Sequence, residues 1–325
     1  MRDFDELDPW TFVTCPVCGA DNATPVTDDW QTLGDKQYTF HLVQYRECGL
    51  VYVNPRLDRE KTIGTPGGGA WTKAAQVNRN IYQNGLERLR SLLDSSPAVA
   101  RTDSNFRLID VVCGYGAFLD VAQKSGFDVV GVEIDEKIAE GARSNGFIVY
   151  DDYLERLNLP SDTYDAITLW DVIEHVPDPV SLIAECHRLL KPGGILFYHT
   201  GNAAFQVTKG RILAKLRPNR GPNNVPIQHL LHLSEATSRY LLDSAGAFDY
   251  IEIRFLDTLN YPNKKKFAAM KTYNELMRLL HRLGMPLWTS SLAAFARKSG
   301  AAWTMKMFQA SQLHFLTLHF VERAL

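Results

Sequence analysis

From Asn105 onward the apolar residues fall into two alternating rhythms. Runs such as Leu108–Val112, Val129–Ile134, Ala166–Trp170 and Ile195–His199 are nearly continuous in Val, Ile, Leu and aromatic residues. That is the pattern of strands buried on both faces. Between them apolar residues recur three and four apart, which marks helices with one buried face. The rhythm predicts strands near 107–112, 128–134, 147–150, 164–170, 194–200, 248–255 and 290–297. Helices are expected near 117–125, 136–144, 179–190, 235–245 and 264–283. Regular alternation of the two implies the α/β class, with a mainly parallel seven-stranded sheet covered by helices on both faces.

Upstream the pattern differs. Residues 1–60 read as a small β-rich module, and 61–104 as a linker with a capping helix. The linker's Gly64–Ala70, GTPGGGA, is flexible by composition. Within Thr72–Leu93 the spacing of Ile81, Leu86, Leu89, Leu92 and Leu93 is helical. The main domain runs over 105–298 with an insertion at 206–226. A tail at 299–325 carries a broad apolar helical face, which suits core packing or a homodimer contact.

Composition narrows the classes. The chain has 325 residues, 45% hydrophobic and 22% charged, and a net charge of −2. This is ordinary globular make-up with no bulk charge argument for nucleic acid. No apolar run reaches the roughly 18 residues of a membrane span, and the acidic start MRDFDELDPW lacks a signal-peptide core. Five scattered cysteines give no disulfide framework, so a reducing cytoplasm is the expected location.

The candidate chemistry centres on Arg107–Leu119, RLIDVVCGYGAFL. A strand, a small-residue turn at Cys113–Gly116 and a helix start at Ala117 would let a ligand approach backbone N–H groups. Asp110 is out of place in so apolar a strand. Alone, such a turn is as well explained by a ligand-free βα connection. The acids on the later strands add weight. Glu133 stands near the end of the second strand, Asp151 and Asp152 after the third, and Asp171 after the fourth. Acids at strand ends are where nucleotide-binding α/β sheets hold ribose hydroxyls.

LIDVVCGYGAFL, GVEID, the Asp-x-x-Glu-His of WDVIEHV with its following DP, and LKPGG stand in that order. With them the chain resembles the class I S-adenosylmethionine-dependent methyltransferases, from about Asn105 to Lys298. The resemblance implies a Rossmann-like fold, S-adenosylmethionine as cofactor, and a small-molecule substrate. It places Gly114 and Gly116 beside the methionine moiety, Glu133 on the ribose, and Asp151 or Asp152 near the adenine, with Asp110 and Asp171 in the same binding set. Trp71 and Tyr82 are candidates for an aromatic lid. His175 is the first choice for a catalytic base and His229 the second; His199 and His232 lie nearby.

One departure stands out: Val112 occupies the position of the family's first glycine. Either the turn keeps an ordinary β conformation with Val112 packed inward, or the side chain crowds the cofactor. A non-catalytic binding subunit is the alternative reading. The insertion's TKGRILAKLRPNR carries Lys209, Arg211, Lys215, Arg217 and Arg220 with no acid. It reads either as a solvated helix face or as an acceptor-side lid meeting phosphate or carboxylate; the expected acceptor is a small anionic or sugar-like metabolite.

At the N-terminus, Cys15-Pro-Val-Cys18 is a knuckle whose spacing lets two thiolates share a tetrahedral metal. Its second half is Tyr45–Leu50, with Cys48. Relatives of this group resemble the segment in carrying a zinc-ribbon-like prefix. Here Tyr45 holds the third cysteine position, so Cys15, Cys18 and Cys48 remain, with His41 a badly spaced fourth ligand. The other reading is a ribbon that has lost its zinc and stands on β pairing.

Overall fold

The computed structural model describes residues 10–33, 36–57, 79–96, 105–216, 229–256, 264–283, 285 and 289–300. Trp71, the glycine-rich 64–70 stretch, Arg217, Arg220 and the tail from Ala301 lie outside the described residues. So do the side chains of Arg211 and Lys215.

Two short strands, β1 (Trp10–Thr11) and β5 (Arg56–Leu57), pair antiparallel at the prefix's ends. Between them β2 (Ala23–Leu33), β3 (Lys36–Tyr45) and β4 (Val51–Val53) form an antiparallel meander. Helix α1 (Arg79–Asp94) buries all five apolar residues that the helical spacing singled out, and packs on the main domain.

The main sheet is built by β6 (Phe106–Val111), α2 (Ala117–Lys124), β7 (Phe127–Val132), α3 (Glu136–Ser144), β8 (Val149–Tyr150), β9 (Tyr164–Trp170), α4 (Pro179–Leu189) and β10 (Leu190–Gly201). Then come α5 (Ala203–Leu216), β11 (Leu231–His232), α6 (Glu235–Ala245), β12 (Phe248–Arg254), α7 (Lys264–Arg282) and β13 (Ser291–Lys298). Caps explain several boundaries. The Asp135 carboxylate accepts from the N–H groups of Lys137 and Ile138 to start α3, and Ser234 and Thr237 form a reciprocal capping box on α6.

Strand order is β12-β13-β10-β9-β6-β7-β8, with β13 antiparallel to both neighbours and the other pairs parallel. The seven expected strands and the parallel core are all present. LKPGG does not simply separate helix from strand: Lys191–Gly194 is an irregularity within β10, whose regular pairing with β9 resumes at Ile195. Gly193 there has φ 79, which relieves the bulge of side-chain strain. The insertion begins as helix α5, with the Asn202 side chain accepting from the Ala204 N–H.

The prefix does not stand apart. Residues Leu231–His232 of β11 pair with β4, giving a second sheet of order β11-β4-β3-β2. Val53 N–H donates to the Leu230 carbonyl at 3.0 Å, and Arg56 Nη1 donates to the Pro177 carbonyl at 2.9 Å. One apolar core runs from Cys15, Tyr45 and Leu50 through Leu230 and Leu231 to Ile167, Leu196 and Ala294. No helix among the described residues is long and apolar enough to cross a membrane.

Candidate active site

The sheet reverses its direction of growth at β6: β7 lies on one side, β9 on the other. Crevices at such switch points, beyond the carboxyl ends of the strands, are where α/β sheets take ligands. The glycine turn after β6 and Asp171 after β9 open onto this crevice from neighbouring strands.

The turn's conformation corrects one expectation. Val112 is not in an ordinary β conformation packed inward. It has φ 59 and is 41% exposed. The backbone needs a left-handed residue here, which is why a glycine suits the position, and Val112 adopts that conformation against its β-branched side chain. Gly114 (φ 57) and Gly116 (φ 85) follow in the same region of φ. A Cβ at Gly114 would meet nothing within 4 Å, so open space lies on its side-chain side, whereas one at Gly116 would strike Phe147 at 2.6 Å. Gly114 is therefore glycine for conformation and approach, Gly116 also for packing.

Glu133 lies beside the turn, 4% exposed. Its Oε2 accepts from the Gly114 N–H at 3.0 Å and its Oε1 from the Asp135 N–H at 3.1 Å. Burial pushes its pKa up, opposed by those two hydrogen bonds. Asp110 is deeper, 2% exposed, and accepts from Thr168 Oγ1 at 2.6 Å. Burial, reinforced by Glu133, pushes it up to about 8. It braces β6 against β9 beneath the turn. Asp151 is at the surface, ion-paired with Arg143 Nη2 at 3.0 Å, and Asp152 accepts from the Tyr153 N–H at 2.7 Å. Tyr82 packs edge-on against Phe118 and Trp170, which makes it part of an aromatic cluster.

At the opposite pole five polar side chains converge. Asp171 has φ 52 and accepts from His199 Nδ1 at 2.7 Å. Burial opposes charge on both members, yet their mutual attraction wins: Asp171 is held below and His199 above the usual value. The Nε2 of His199 has no hydrogen-bond partner among the described residues. Glu174 and His175 share the short 3-10 turn Ile173–His175, and the His175 and His229 rings meet edge to face with centroids 4.7 Å apart. Burial, then His175 and His232, push His229 down to about 3; burial pushes His232 down to about 4. The sequence put His175 and His229 in the pocket separately, and folding brings them into contact. Sequence reasoning missed Glu174 as a site residue, although the Glu-His pair carries the signal.

A family model described as a methyltransferase domain matches residues 78–254. The chain belongs to this family, the S-adenosylmethionine-dependent methyltransferases of class I. It is 33% identical over 111 residues to a ubiquinone biosynthesis O-methyltransferase of Histophilus somni, a match covering 31% of this chain and 47% of that one. A protein of the same name from Hahella chejuensis is 38% identical over 103 residues, 30% of this chain and 43% of that one. The chain thus spans about half the length of the curated relatives it matches. A solved SAM-dependent methyltransferase from Thermotoga maritima is 18% identical with a TM-score of 0.47, over 71% of this chain and 96% of that one.

The residues present fit the methyltransferase cofactor. Each Glu133 oxygen accepts one N–H and keeps a second lone pair for a ribose hydroxyl, and the space over Gly114 admits a ligand beside the backbone. At the prefix the two knuckles are conformational copies. Gly19 N–H donates to Cys15 O, and Gly49 N–H to Tyr45 O; the glycines have φ 73 and 74. Cys15 and Cys48 Sγ atoms lie 3.4 Å apart, and Cys18 joins them in a cluster that could hold a metal. Tyr45 does not complete the set, because its hydroxyl is directed to Tyr52 and the Val13 carbonyl. His41 is taken up by Asp28 at 2.8 Å in an exposed pair and is not a member of the cluster.

Proposed function

We propose that the protein transfers a methyl group from S-adenosylmethionine to a hydroxyl of a small metabolite, anionic or sugar-like in character. The carrying observation is the convergence of Asp171, His199, His175 and His229 at the carboxyl ends of the strands that also bear the glycine turn. The bound cofactor would supply an electrophilic methyl on a sulfonium, so the chain's work is positioning, exclusion of water and removal of the acceptor's proton.

Glu133 and Gly114 position the cofactor's ribose and methionine ends, and Asp151 or Asp152 stands at the adenine rim. Asp110 and Asp171 complete this set, Asp110 as a brace under the turn. His175 and His229 are the acceptor-side catalytic residues, where the leaving proton is handled. The relatives' names support an oxygen acceptor, and Lys209 on α5 supports an anionic one. Five free thiols suit a cytoplasmic setting.

Titration calorimetry with S-adenosylhomocysteine tests the assignment. Glu133→Ala should weaken binding at least about tenfold, roughly 1.4 kcal/mol, with circular dichroism confirming an intact fold. Equal affinities would overturn the ribose role. Binding that is never accompanied by release of S-adenosylhomocysteine, across pools of hydroxylated metabolites, would favour a binding subunit.

A further inference from the structure

His199 stands near the end of β10, paired in register with Trp170 of β9, and the residue after Trp170 holds it twice. The Asp171 N–H donates to the His199 carbonyl at 3.0 Å, and the Asp171 carboxylate accepts from His199 Nδ1 at 2.7 Å. Asp171 adopts φ 52 there, a left-handed conformation that costs a non-glycine residue about 1–2 kcal/mol. With Nδ1–H committed to the carboxylate, the neutral ring carries its lone pair on Nε2. That atom is buried and has no hydrogen-bond partner among the described residues. Trp170 Nε1 is in the same condition, and the two ring centroids lie 5.8 Å apart. Buried polar groups are nearly always paired. Here an unused acceptor stands beside an unused donor, and one hydroxyl group can satisfy both.

We propose that His199 is a catalytic base for the methyl acceptor, with Asp171 as the residue that positions it. This rests on the methyl-transfer reading. His199 Nε2 takes the acceptor's O–H proton as the acceptor oxygen forms its bond to the methyl carbon. The carbon–sulfur bond breaks in the same step, and its electron pair stays on sulfur. His199 leaves the step as an imidazolium paired with the Asp171 carboxylate and later returns the proton to solvent. Burial opposes charge on the ring, but Asp171 and then Glu174 outweigh it, so its pKa is raised. His175 and His229 keep their place on the acceptor side, and His199 is where the proton goes first.

The pair also narrows the acceptor class. A phenol ionises near about pH 10, as tyrosine does, and needs little help against a sulfonium. An alcohol is about as weakly acidic as water, so its proton must leave to an oriented base as the new bond forms. The arrangement fits an alcohol, such as a sugar hydroxyl.

Release of S-adenosylhomocysteine by the full chain tests the assignment, with one pool of free sugars and sugar acids and one of phenols as probes. Wild type should turn over the sugar pool. His199→Asn keeps a donor for Asp171 but loses Nε2. On the active sugar it should lower kcat at least about a hundredfold, with KM and S-adenosylhomocysteine affinity held within about twofold. Asp171→Asn should lower kcat and move the acid limb of its pH profile to lower pH. The sign follows because the base must be neutral to act, and losing the carboxylate lowers the ring's pKa. Glu174 also acts on His199, and His175 and His229 on Asp171, but all three are unchanged in that comparison. Should either variant fail to fold, nitrogen-15 NMR of the wild-type ring decides: the neutral form should carry its proton on Nδ1 and none on Nε2. The opposite tautomer, an unchanged kcat in His199→Asn, or bound S-adenosylhomocysteine with turnover of neither pool would overturn the proposal. Turnover of phenols alone would overturn the alcohol acceptor. Failure of wild type to bind S-adenosylhomocysteine would instead sink the methyl-transfer reading on which the proposal rests.

Discussion

At residue scale the left-handed turn shows how a single side chain is set against the backbone it inhabits. A β-branched residue at φ 59 carries strain of roughly 1–2 kcal/mol, and Val112, 41% exposed, recovers little by packing. Glycine would release the strain but add about 0.5–1 kcal/mol of unfolded-state entropy. Val112→Gly should therefore gain about 0.5 kcal/mol, a Tm rise of about 1–2 °C, and bind S-adenosylhomocysteine more tightly. Val112→Ala keeps the strain and should show no gain in Tm. A fall in Tm for the glycine variant would mean that Val112 is held by packing after all.

Asp110 gives a pH signature. Its folded pKa of about 8 lies above the ordinary 3.8, so the native state holds a proton that the unfolded chain releases. Its contribution to stability is fully present below about pH 4 and is lost as pH rises through 8. Asn at this position does not titrate and still accepts from Thr168. In urea titrations, the advantage of Asp110→Asn over wild type should widen between pH 5 and pH 9. A constant difference would show that Asp110 is not the group responsible, with Glu133, raised in the same direction, the next to test.

At the scale of elements, the paired knuckles show a motif whose backbone has outlasted one of its ligands. Tyr45 occupies the third cysteine's place in an unaltered turn, and its ring stacks on Tyr52 at 4.8 Å. Burial raises the pKa of Cys48, so metal binding must displace a proton from it. Tyr45→Cys should convert weak cobalt(II) binding, read by thiolate charge-transfer absorption, into a tight one-to-one complex. Its stability without metal should fall by about 3–5 kcal/mol, as for other large-to-small core changes. Tight cobalt binding by wild type would show that three thiolates and water suffice.

For the whole molecule, the decisive contact is β11 against β4. The prefix sheet ends on the strand that comes after His229, so the prefix helps hold the histidine loop against the Ile173–His175 turn. The shared core also predicts one unfolding event. Differential scanning calorimetry should show a single transition with matching calorimetric and van't Hoff enthalpies. Two resolved transitions would mean that the prefix folds by itself.

The sheet, its helices and the place of the glycine turn could be read from the sequence because they depend on short-range periodicity. Continuous apolar runs bury both faces of a strand, and glycine at a turn reports the local φ. Glu133 and Asp171 were legible for the same reason: each sits at a strand's end. What periodicity could not supply was any relation between residues far apart in the chain. Asp171 reaches His199, His175 meets His229, and the Oε2 of Glu174 is buried without a partner only when β9, β10 and the β11 loop are brought to one edge. For Val112 the sequence left inward packing and crowding of the cofactor both open, since the sign of φ belongs to the closed turn. Side-chain identity along the chain set which elements form; burial and convergence, which arise only on packing, decided what those side chains can do.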